Sequence, residues 1–239
     1  KIKPLARNDM KAVIYTGYAY TGGIVAGLIL REFDSFLGPF PKNTEFRLFK
    51  ERFALCDLED SLLESHDPEI VDLALKDFAW LFGKYARTNS FFSKTGFGFD
   101  KSTNNEFSKL TYKYMQSLTD FKYLMSWHFY DFRTKYFPLI VSRIIRRLSK
   151  SYKYGRKPAY FSFPTRDEFV VKTRRYIEDI MKSFIGDDLY DKSVTITFSK
   201  AVSPYSFKRI SQVVSYFDDC NVIIIDRDPR DVYIELCRS

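Results

Sequence analysis

Two stretches at opposite ends of the chain carry residues whose types and spacing suit phosphate chemistry. Near the start, Gly17-Tyr18-Ala19-Tyr20-Thr21-Gly22-Gly23-Ile24 follows a short apolar run, with Gly17 and Gly22 at the five-residue offset of a P-loop. Glycines so placed let the backbone bend until successive N–H groups face one anion, and a helix that begins there adds its positive end. The nucleoside-triphosphatase form of such a loop needs Lys and then Ser or Thr directly after the second glycine, for the outer phosphates and magnesium. Gly23 and Ile24 hold those positions here. The loop therefore suits a phosphate ligand held without a metal, and a Gly-rich strand-to-helix turn with no ligand is the other reading of the same residues.

Near the end stands Asp226-Arg227-Asp228-Pro229-Arg230-Asp231-Val232-Tyr233, directly after the apolar run Val222 to Asp226. A guanidinium leaving a strand at its carboxyl end can grip phosphate oxygens in a bidentate way, and Pro229 suits the first turn of a following helix. The same charges could instead form an ion-pair cluster that caps the helix. This octet closely resembles the RDPRDV signature of the sulfotransferases that use 3′-phosphoadenosine 5′-phosphosulfate (PAPS), in which the motif grips the 3′-phosphate of the cofactor.

The resemblance extends to the first loop. The family's 5′-phosphosulfate loop usually carries Lys or Arg, then Ser-Gly, then two Ser or Thr residues, where this chain has Tyr20, Thr21, Gly22, Gly23 and Ile24. Thr21 and Gly22 fit; Tyr20, Gly23 and Ile24 remove side-chain contacts and leave backbone amides plus whatever cation the fold brings near. The resemblance implies PAPS as cofactor with no metal, held by Gly17, Tyr18, Ala19, Tyr20, Thr21, Gly22, Gly23, Ile24 and Arg227. It further implies transfer of a sulfuryl group to a hydroxyl or amine of a carbohydrate or similar acceptor. Eight residues after Arg227, where many members have serine, stands Glu235, a carboxylate that tolerates a nearby phosphate only with Arg227, Arg230 or Arg238 between them. Family members continue into a segment that closes over the nucleotide, so the resemblance implies a fold longer than this chain.

Sulfuryl transfer needs an in-line acceptor, a base for its proton, and positive charge on the leaving phosphate. Phe49-Lys50-Glu51-Arg52-Phe53 resembles the Lys-Glu pair of glycan sulfotransferases, which implies Glu51 as base and Lys50 as the group that steadies transferring charge. The two histidines, His66 and His128, are bases by type. His66 lies in a helix-start loop and is the second candidate; His128 stands between Trp127 and Phe129 in an aromatic stretch and reads as structural.

The elements that must position these residues follow from periodicity. Lys11 to Thr16 reads as a strand, Ile24 to Phe33 as a helix and Phe46 to Lys50 as a second strand. Leu58 to Leu63 and Ile70 to Leu81 have helical spacing, with Pro68 and Glu69 marking a helix start. The polar run Thr88 to Asn105 reads as a long loop with exposed aromatics. Phe107 to Leu148 reads as largely helical with a break at Pro138, and Lys150 to Pro164 as a basic, Tyr-rich connection before a helix from Arg166 to Phe184. Alternation resumes with a strand at Val194 to Ser199, a helix from Ser206 to Phe217 and a strand at Val222 to Asp226. The last of these has the unbroken apolar character of a central parallel strand covered on both faces. The pattern predicts one α/β domain over 1–239 of the P-loop type, a three-layer sandwich with a central, mostly parallel sheet and a helical insertion over about 88–185. Both phosphate-suited loops fall at carboxyl ends of strands, where such sheets bind ligands.

Composition bounds the rest. A chain of 239 residues, 45% hydrophobic, can bury a full core. The net charge of +8 favours an anionic partner such as a phosphorylated cofactor, an acidic glycan or nucleic acid, though no nucleic-acid-binding signature stands out and none is expected as partner. Three scattered cysteines read as ordinary thiols of a reducing compartment, and no apolar stretch is long enough to span a membrane, which together suggest a cytoplasmic protein. Two other classes of function remain open from sequence: a nucleotide-dependent phosphotransferase, and a non-catalytic nucleotide- or nucleic-acid-binding domain.

Overall fold

The computed structural model describes residues 10–18, 21–38, 47–88, 96–125, 127, 157–186 and 194–238. Its centre is a parallel sheet. Strand β1 (Lys11–Gly17) lies between β5 (Thr195–Ser199) and β6 (Asp219–Ile225), and β2 (Phe36–Leu37) pairs with β5 on the far side, giving the order β2-β5-β1-β6. The register pairs Lys11 with Thr195 and Asp219, and Gly17 with Ile225. Alternation in β1 feeds two buried faces. Ala12 and Ile14 join the main core, while Val13 and Tyr15 are buried outside that cluster.

Helix α1 (Gly23–Arg31) packs back on β1 and β5. Gly27 permits this approach, because a Cβ there would overlap the ring of Tyr15. The opposite face is covered by α2 (Leu55–Leu63), α3 (Pro68–Ala86), α5 (Glu106–Leu118), α6 (Arg166–Ile185) and α7 (Phe207–Ser215), with the short α4 (Phe99–Ser102) between α3 and α5 and α8 (Pro229–Arg238) last. The protein is thus α/β, with helices on both faces of a parallel sheet. No helix among the described residues is long and apolar enough to cross a membrane.

Local chemistry explains the helix boundaries. Pro68 takes the first position of α3, and the Asp67 side chain accepts from Glu69 N at 2.8 Å, a cap worth about 1 kcal/mol. Helix α6 opens on a capping box in which Thr165 and Glu168 each satisfy the other's backbone amide. Helices α5 and α6 are joined through two buried tyrosines stacked 4.2 Å apart, Tyr114 and Tyr176, whose hydroxyls bond Thr173 and Thr111 across the interface.

Four sequence expectations require correction. The strand expected at Phe46–Lys50 is a turn over residues 47–50. Leu48 and Phe49 are buried because their carbonyls accept from Leu55 N and Cys56 N, and Phe49 packs on Phe198, Tyr216 and Phe217. The alternation that mimics a strand is that of a loop anchored by two side chains. The helix expected from Phe107 ends at Leu118, and the next residues form β3 (Phe121–Met125), paired antiparallel with β4 (Lys157–Phe161) inside the expected connection. The remainder of that stretch, 128–156, lies outside the described residues.

Part of the Thr88–Asn105 loop is also ordered differently, since Phe99 is buried among Tyr85, Phe97, Phe107 and Phe184 at the start of α4. Finally, β6 is an edge strand among the described residues, with Ile223 42% and Ile224 47% exposed. A continuous apolar run cannot by itself tell a central strand from an edge; here β1 holds the central place.

The hairpin is tied to α3 through Asp72. Its fully buried carboxylate accepts from Lys76 Nζ, Trp127 Nε1 and Tyr160 N, each at 2.9 Å. Three donors offset the desolvation of one buried charge.

Candidate functional site

The loop after β1 and the segment after β6 leave the sheet side by side, because Gly17 is in register with Ile225. Only glycine fits at Gly17: a Cβ would lie 2.5 Å from Ile225 O and 2.5 Å from Thr21 Oγ1. The loop folds on itself, with the Thr21 hydroxyl donating to Tyr18 O at 2.8 Å. Gly22 then takes φ 92° as the cap of α1, a conformation that disfavours any side chain. No side chain caps α1, so its opening amides and the positive helix end mark the turn.

Chain direction singles out this edge. From β1 the chain turns to α1 on one face of the sheet, and from β5 to α7 on the other. Neighbouring strands whose connections diverge open a crevice at their carboxyl ends, the usual ligand position in open α/β sheets. Here that crevice lies between β1 and β5. Its second wall is the segment after β5, where Lys200 N donates to Tyr15 O at 2.8 Å and the Thr16 hydroxyl donates to Val202 O at 2.6 Å.

Lys200 is half-buried and has φ 49°, which is uncommon for a residue with a side chain. Farther along, Tyr205 stacks on Tyr18 with ring centroids 5.1 Å apart, and both rings are more than half exposed. Lost water contact, with the Asp226 carboxylate and Tyr18 beyond it, pushes the Tyr205 phenol up. Thus Tyr205 stands close enough to feel the residue just before Arg227.

The charged octet divides into two parts. Arg230 pairs with Asp228 at 2.6 Å, and Asp228 also accepts from Arg230 N, which holds its carboxyl below the ordinary range. This pair forms the capping cluster at the start of α8, where Asp228 O accepts from Asp231 N and Val232 N. Arg227 is exposed and its nearest recorded carboxylate oxygen, on Asp231, is 4.0 Å away. Its guanidinium is therefore the more loosely engaged of the two.

The candidates for acid–base work stand elsewhere on the chain. Lys50 and Glu51 lie in the turn before α2, and Glu51 pairs with Arg47 at 3.3 Å. Burial and then the Glu51 carboxylate push the Tyr85 phenol up to about 12, which places Glu51 near the end of α3. His66 is exposed in the turn between α2 and α3. Ala19, Tyr20 and His128 lie outside the described residues. Gly17, Tyr18, Thr21, Gly22, Gly23 and Arg227 are brought to one sheet edge; no hydrogen bond, ion pair or ring contact recorded among the described residues joins Glu51 or His66 to it.

Sequence reasoning passed over Lys200 and Tyr205. The available signal was a lysine directly at the end of the strand VTITFS, but its value depends on β5 lying beside β1, which spacing alone does not disclose. Among the described residues, no group of three or more His, Cys, Asp or Glu side chains is arranged to hold a metal ion. Compared with known proteins, the chain matches no family model, no curated protein and no solved structure.

Proposed function

We propose that the protein is a sulfotransferase that moves a sulfuryl group from PAPS to a hydroxyl or amine of a carbohydrate or similar acceptor. The observation that carries this reading is the register Gly17–Ile225, which sets a glycine loop and the RDPRDV-like Arg227 next to each other at one sheet edge. The residues fit such a cofactor. Gly17 leaves room that a side chain would fill, Gly22 lets the turn present its amides, and α1 aims its positive end at the loop. When bound, the cofactor supplies an activated sulfuryl group on a phosphate leaving group.

This chain's own residues do the holding and the proton work. Amides of the Gly17–Gly23 loop bind the 5′-phosphate side, and the planar guanidinium of Arg227 binds the 3′-phosphate. Lys200, at the end of β5, supplies the positive charge that Tyr20 and Gly23 do not, standing in for the basic residue of the family's loop. Glu51 remains the first candidate to accept the acceptor's proton, with Lys50 beside it, and His66 the second. Since Glu51 is held by Arg47, its carboxylate must exchange that partner for the acceptor hydroxyl.

Incubation with PAPS and a panel of saccharide acceptors tests the reading. Acceptor-dependent release of adenosine 3′,5′-bisphosphate is the expected result. Stabilisation by ATP with magnesium and none by adenosine 3′,5′-bisphosphate would instead favour a phosphotransferase.

A further inference from the structure

The β3–β4 hairpin presents a surface that the sheet-edge site does not use. Four successive residues of β3, Phe121 to Leu124, are exposed, with Tyr123 at 63%. Strand alternation puts Phe121 and Tyr123 on one face, which ends in Lys157 opposite Met125. Phe121 is held flat against Phe161 at 4.5 Å. Lys122, on the other face, lies 5.3 Å from the ring centre of Tyr160 and 5.9 Å from that of Tyr112. The acids nearby are engaged internally: Asp72 is buried on its three donors, and Asp120 accepts from Phe163 N.

We infer that this hairpin is a docking surface for an acidic polysaccharide, the polymeric form of the acceptor; the inference rests on the transferase reading for its choice of carbohydrate. Exposed flat rings offer apolar faces to the apolar faces of sugar rings while their rims stay wet. Lys122 and Lys157 stand about 10 Å apart along the hairpin by strand rise, so they meet separate carboxylates of an extended chain. The chain-wide charge of +8 raises the local concentration of any such polyanion. Nucleic acid is the competing polyanion, and side-chain chemistry disfavours it. Strands β3 and β4 carry lysines and no arginine, whereas the guanidinium fork is the preferred partner of phosphate.

The test is fluorescence polarisation of the full chain with a labelled oligogalacturonate, beside a neutral maltodextrin and oligo(dT) of similar length. Two variants are compared, Tyr123→Ala and the double charge reversal Lys122→Glu with Lys157→Glu, each checked for an unchanged thermal melt. Expected are binding to the uronate but not the neutral polymer, about three- to tenfold weaker binding by Tyr123→Ala, and a larger, salt-dependent loss in the charge-reversed variant. Unchanged binding by both variants, or oligo(dT) binding as tight as the uronate, overturns the proposal. Thermal stabilisation by adenosine 3′,5′-bisphosphate, read on the same samples, reports the nucleotide site separately. Its loss in the unmodified chain would sink the transferase reading and leave a uronate-binding hairpin in place.

Discussion

Three side chains divide the proposed chemistry, and each has a different standing in the geometry. Arg227 and Lys200 sit at the carboxyl edge of the sheet, on strands that flank β1 on either side. Glu51 sits in a turn anchored by Leu48 and Phe49 and is paired to Arg47. If Glu51 takes the acceptor proton, Glu51→Gln lowers turnover by about 10²- to 10⁴-fold with cofactor affinity unchanged. Lys200→Ala lowers turnover by about tenfold or more through lost stabilisation of the leaving phosphate. Normal turnover in Glu51→Gln together with its loss in His66→Ala would move the base to His66. Arg227 was legible in sequence because a strand and a charged octet are contiguous there. Lys200 was not, because its role depends on which strand lies beside β1.

At the scale of elements, close approach of backbones decides what the site can be. Gly17 lets β1 and β6 run together to their ends, since a Cβ would press on Ile225 O and Thr21 Oγ1, each at 2.5 Å. Gly17→Ala is expected to cost about 1–3 kcal/mol of stability, as overpacking does elsewhere, and to weaken adenosine 3′,5′-bisphosphate binding beyond what the lower melt explains. An unchanged melt and unchanged affinity would show that the loop is slack and the register unimportant. The elements carrying this arrangement were readable in advance: β1, α1, β5, α7 and β6 stand within a few residues of their expected places. Short apolar runs misled where tertiary contacts decide. Phe46–Lys50 alternates like a strand yet 47–50 is a turn on α2, and β3 follows a helix break at Thr119–Asp120 that the aromatic pattern of FKYLM disguised.

The molecule as a whole sets an α/β sheet between two unequal helical layers, with α1 alone packed on one face and most of the core on the other. Fold class was legible because strand and helix patterns alternate at both ends of the chain; strand order was not, since β6 is apolar enough for a centre and stands at an edge of the described sheet. That order nevertheless places the two phosphate-suited segments on adjacent strands, which is the account's central claim. Isothermal titration of the unmodified chain and of Arg227→Ala with adenosine 3′,5′-bisphosphate and with 5′-AMP tests it most directly. A charge-assisted phosphate contact is worth about 1.5–3 kcal/mol, or tenfold and more in affinity. The account predicts that the 3′-phosphate gives the unmodified chain this advantage and that Arg227→Ala abolishes it, leaving the weaker 5′-AMP affinity nearly unchanged. Equal affinity of the unmodified chain for both nucleotides, or equal losses for both on substitution, would contradict it.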